Sequence, residues 1–76
     1  MQVFVFRSQT DTSVVGYTTR RGGGNLSAEF APWLLLERVS MLPGMPVAGV
    51  RGGADVVIEA IRRDGFFLAR SEDVAT

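Results

Sequence analysis

GADVVIEAIRRDGFFLAR, residues 53–70, reads as one amphipathic helix, a glycine stop and a strand. At about 100° per residue, Ala54, Val56, Val57, Ile58, Ala60 and Ile61 fill one broad arc, and Asp55, Glu59, Arg62 and Arg63 fall on the other. Glu59 precedes Arg63 by the spacing that favours an exposed ion pair, and Arg62 and Arg63 sit in the last turn, where the helix dipole favours cations. Asp55, Gly52 or Gly53 can cap the start, and Gly65 can take the left-handed conformation that ends the helix. Phe66, Phe67, Leu68 and Ala69 then form an apolar run too short for a second helix, so a buried strand is expected.

Working outward, residues 3–6 are β-branched or aromatic throughout and predict a strand that extends toward Arg7. A polar cluster of turn formers, residues 8–13, separates it from a second strand over residues 14–19, which makes a β-hairpin. Gly16 within that second strand suggests a bulge, or a neighbouring aromatic packed on bare backbone. The glycine triplet Gly22, Gly23 and Gly24 breaks the strand and is expected to be the most mobile point of the chain. Residues 25–31 can form one helical turn, capped by Asn25 or Ser27 and ended by Pro32. Residues 33–39 predict a third strand, with a helix as the competing reading because Leu34, Leu35, Arg38 and Val39 would share a helical face. Residues 40–53 hold two prolines and four glycines, so they form an irregular crossing. Met41, Leu42, Met45, Val47 and Val50 make that crossing apolar enough to serve as a flap on the sheet.

The expected fold is therefore α+β: a small four-stranded, mainly antiparallel sheet with one helix packed on a face, in the order β-β-β-α-β. All 76 residues form a single small domain, with residues 71–76 as a frayed tail. The helix is placed to act as a crossover between the third and fourth strands.

Composition narrows the chemistry. There is no cysteine and no histidine, so disulfides and any zinc, copper or haem site built on thiolate or imidazole are excluded. All eight basic residues are arginine, which removes Schiff-base lysines and the P-loop lysine. Arginine in place of lysine, with plentiful Gly, Ala and Val, reads as the codon composition of a GC-rich bacterial genome. Eight acids balance the arginines, so a net charge of zero supplies no general pull toward nucleic acid or an anionic membrane. The first residues carry no signal-peptide or membrane-span pattern, and a cytoplasmic location is the expectation.

Alternation along the strands is poor. Val3 and Val5 oppose Phe4 and Phe6, Phe66 and Leu68 oppose Phe67 and Ala69, and Leu34 and Leu36 oppose Trp33 and Leu35. Both faces of the sheet are thus apolar while one helix covers only one, and burying each large side chain is worth roughly 1.5–3 kcal/mol. Either the crossing over residues 40–53 or a second copy of the chain is expected to cover the other face. The homodimer is the favoured reading, with Phe4, Phe6, Trp33 and Phe67 as interaction residues. Another protein is the further partner considered.

Arginines supply the alternative. Arg20, Arg21 and the following glycines can cradle a phosphate, although the segment lacks the spacing and lysine of a P-loop and also reads as a plain hairpin connection. Arg-Gly-Gly recurs at Arg51, and Arg62 and Arg63 add charge at the helix end, so Arg20, Arg21, Arg51, Arg62 and Arg63 are the candidate anion or nucleic-acid contacts. The run IEAIRRDGFFLAR, residues 58–70, resembles the helix-and-strand of HicA-type toxins, small RNA-cutting modules with a double-stranded-RNA-binding-like fold. Their catalytic histidine and its flanking Gly-Ser segment have no counterpart here, so that resemblance implies no nuclease. Asp11, Asp55, Glu59, Asp64, Glu72 and Asp73 form no evident catalytic pair, and no serine or threonine lies in a nucleophile motif. The sequence therefore points to a non-catalytic interaction module that uses no metal or cofactor.

Overall fold

The computed structural model describes residues 1–70; the tail expected to fray, residues 71–76, lies outside the described residues. The elements are β1 (Gln2–Ser8), β2 (Val14–Thr18), a 3-10 turn (Ala28–Phe30), β3 (Trp33–Ser40), α1 (Gly53–Asp64) and β4 (Phe66–Arg70). They form the expected α+β arrangement, a four-stranded sheet with one helix. Every pairing is antiparallel, in the order β3-β1-β2-β4. The helix therefore does not link parallel neighbours; it carries the chain from one edge of the sheet to the other. No helix among the described residues is long and apolar enough to cross a membrane.

The helix is held by its apolar face. Ala54, Val57, Ile58 and Ile61 are buried in one cluster with Val3, Val5 and Tyr17, Ala60 is buried beside them on the helix, and the three large aliphatics contribute about 1.5–3 kcal/mol each as an upper estimate. Val56, which the wheel placed on that face, is 38% exposed. It lies about 200° from Ala54, past the edge of the arc that the sheet reaches. Gly52 is the N-cap, in the left-handed region and with no side-chain bond; instead Met45 O accepts from the Ala54 amide at 2.8 Å. Asp55 serves the crossing rather than the cap, since its Oδ1 accepts from Gly44 N at 3.1 Å. Gly65 closes the helix as expected, at φ 91°, with its amide donating to Ile61 O at 2.8 Å. The exposed partner of Arg63 is Asp64 at 3.0 Å rather than Glu59.

Two segments cover the sheet. Met41, Met45, Val47 and Val50 of the crossing join the helix side of the core, while Leu42 stays exposed. The opposite face is covered by the chain around the 3-10 turn rather than by that crossing. Gly23 and Leu26 are buried there, and ideal Cβ positions on Gly16 and Gly23 fall within 3.3 Å of Leu26, Trp33 or Phe6. The glycine-rich stretch is thus pinned at its centre, which the loop-like composition did not suggest. Ser27 caps the turn, accepting from Glu29 N at 3.3 Å. Buried Ser8 fastens this cover to β1: its hydroxyl donates to Phe30 O at 2.6 Å and accepts from Thr10 N and Asp11 N at 3.1 and 3.0 Å.

Candidate functional site

The four aromatic candidates belong largely to the interior. Phe6 is buried beneath Gly23, and half-buried Phe67 packs against the core with its ring 5.9 Å from that of Tyr17. Trp33 is half-buried, its Nε1 donating to Ser27 O at 3.0 Å and its ring set edge-on to Phe30 at 6.3 Å. Phe4 is half-buried in the middle of the sheet. Phe6 and Trp33 thus join the cover to the sheet, whereas Phe67 lies on the helix side, and Phe4, Trp33 and Phe67 each keep part of their surface exposed.

The five arginines divide between two ends of the molecule. Arg62 and Arg63 close α1, whereas Arg51 precedes it, roughly 17 Å away at 1.5 Å per residue. Arg20 lies at the closing end, because its amide donates to Thr18 Oγ1 at 3.1 Å, and Thr18 and Asn25 bond there with each other and with Gly65 O. The carbonyl end of a helix repels anions, and Asp64, bonded to Arg63, raises the guanidinium pKa further. The five therefore do not make one patch, because Arg51 stands apart from Arg20, Arg62 and Arg63.

Among the described residues no three His, Cys, Asp or Glu side chains gather as a metal site. A small cleft of about 280 Å³ lies between the sheet and the crossing, lined by Tyr17, Glu37, Met41, Met45 and Val47 among others. Burial first, and then the Glu37 charge, push the Tyr17 hydroxyl above its usual range, so the phenol is protonated at neutral pH.

The residues that reasoning from sequence passed over lie on β3. This strand is one edge of the sheet and, at eight residues, the longest strand described. Leu34, Leu35 and Leu36 stand 48%, 49% and 42% exposed, next to exposed Glu37 and Arg38. Its register with β1 slips from Val5↔Glu37 to Phe6↔Leu35, which leaves Leu36 in a bulge without a partner. The run Trp33-Leu34-Leu35-Leu36 was visible as apolar on both faces. Its place at an edge was not, since strand order is set by distant pairing.

An edge strand presents a row of unpaired N–H and C=O groups, and proteins ordinarily blunt it with charge, proline or a bulge. β3 has the bulge and one adjacent charged pair but sets three leucines beside them. Such an arrangement can add a strand. Comparisons with protein-family models, with curated proteins and with solved structures return no match for this chain.

Proposed function

We propose that this protein is a non-catalytic, self-associating interaction module whose dimer forms along the outer edge of β3. The observation that carries the reading is the exposure of Leu34, Leu35 and Leu36 on an edge strand with no outer neighbour among the described residues. The expected apolar surplus has moved from the face of the sheet to its rim.

Self-complementarity favours a second copy as the occupant. In an antiparallel pair of β3 strands, a two-fold axis through Leu35 sets Leu34 of one copy opposite Leu36 of the other, so leucine meets leucine throughout the centre. Glu37 and Arg38 then lie toward the ends, where water solvates them. Zero net charge puts no general repulsion between the copies. The absence of cysteine, histidine and lysine from the sequence supports the non-catalytic part of the reading.

Sedimentation equilibrium from micromolar to submillimolar protein tests it. The wild type is expected to dimerise with concentration, and Leu35→Lys and Leu36→Lys to sediment as monomers. Both variants should keep their unfolding midpoint when measured at the lowest concentration, because exposed substitutions change stability by about 0.5 kcal/mol or less. A wild type that stays monomeric throughout the range overturns the proposal.

A further inference from the structure

We propose that the opposite edge of the sheet, β4, receives an extended acidic segment of another protein as a fifth strand. Phe67, Leu68, Ala69 and Arg70 are consecutive residues of β4, whose side chains alternate between the two faces. All four line one cleft of about 550 Å³, so the cleft runs along the edge of the strand. Its other walls are Val14 of β2, Phe30 on the side of the cover and residues 49–51 on the side of the helix. A guest strand would complete the ladder with its backbone and place alternate side chains against the two walls, the mode by which sheets take up extended peptides.

Charge selects the guest. Among the described residues, the charged side chains that line the cleft are Arg51 and Arg70, and no carboxylate lines it. Arg70 is already oriented, 3.2 Å from Asp11 and 5.8 Å above the Phe30 ring. Arg51 is exposed and has no ion pair among the described residues. A segment alternating apolar and acidic residues pairs with Arg51, extends the Arg70–Asp11 pair at its cationic end and fills both apolar walls. A second copy paired through β4 would instead bring Arg51 of each copy into the joint cleft with no acid of the described lining to meet it, so β4 is the edge for a foreign chain and β3 the edge for self-association. The two surfaces share no residue, and either proposal can fail alone.

The test uses the full chain labelled with nitrogen-15, carrying Leu35→Lys so that self-association does not contribute. A short capped peptide of alternating valine and glutamate is the probe, and its valine–lysine counterpart the control. The expected result is amide shifts confined to residues 49–51 and 66–70, a micromolar Kd weakened at least tenfold by Arg51→Glu, and no shift with the lysine peptide. Equal binding of the lysine peptide, shifts centred on another element, or no shift at millimolar peptide overturns the proposal. Binding seen only after Glu72→Gln and Asp73→Asn also overturns it, by giving the cleft to acidic residues of the chain itself.

Discussion

Leu26 lies directly over Gly16: a Cβ built on that glycine would stand 3.0 Å from Leu26 Cδ2 and 3.2 Å from Trp33 Cζ3. Both neighbours are held, Leu26 by burial at 7% exposure and Trp33 by its bond to Ser27 O. Gly16 has an ordinary strand backbone, so the constraint is space and not conformation. Gly16→Val is therefore expected to destabilise the fold by about 1–3 kcal/mol through overpacking. Leu26→Ala alone leaves a cavity and costs about 2–5 kcal/mol. Because the valine fills part of that cavity, the double variant should lose less than the sum of the singles. Urea unfolding read by the fluorescence of Trp33, the only tryptophan, measures all three; strict additivity would show that the contact does not constrain position 16.

A second prediction concerns Asn25, which the sequence offered as a cap for the short turn and which the fold uses at the end of α1. Its Nδ2 donates to Gly65 O at 2.7 Å, and its Oδ1 accepts from the hydroxyl of fully buried Thr18 at 2.8 Å. Removing the amide leaves Gly65 O and the Thr18 hydroxyl short of partners, so Asn25→Ala is expected to cost about 1–3 kcal/mol. Asn25→Asp should be worse at neutral pH, since it replaces a donor with an anion beside a carbonyl at the negative end of the helix. Lowering the pH to about 3 protonates that carboxyl, restores a donor and should narrow the gap to Asn25→Ala. Chemical denaturation at the two pH values decides; a smaller loss for Asn25→Asp than for Asn25→Ala at neutral pH contradicts the assignment.

These two residues mark where local reading stops. The helix, its Gly65 stop and β4 follow from periodicity and backbone preference within residues 53–70, and the strands around Val5, Val15 and Leu35 follow from side-chain type over a few positions. Gly16 was legible as a place for close packing, but its occupant was not. Leu26 and Phe30 come from a segment that looked like a turn and a connection, and with Trp33 of the third strand they form one cover only once the chain has folded back. Edge status was hidden for the same reason. Pairing of β1 with β2 and β3, and of β2 with β4, decides that β3 and β4 are rims, and loop lengths do not encode this. The separation of Arg51 from Arg62 and Arg63 could have been read, because a helix between them fixes their distance.

Tyr17 gives a prediction that reads the core directly, because it is the only tyrosine. Its ring is 6% exposed, and its hydroxyl is held above the usual phenol range by burial first and by the Glu37 charge second. Absorbance at the phenolate wavelength should therefore titrate above pH 10, the value for free tyrosine. Glu37→Gln removes the smaller cause and should lower the midpoint without returning it to the free value. For stability the sign follows from a raised folded-state pKa. Below pH 10 the group is protonated whether the chain is folded or unfolded, and stability is undiminished; as pH rises from there toward the folded pKa, only the unfolded chain releases its proton, and stability falls. The melting temperature is accordingly expected to drop across that window more steeply in the wild type than in Tyr17→Phe. Parallel loss in the two proteins would place the alkaline transition elsewhere, and a midpoint at the free-tyrosine value would mean that the ring is hydrated.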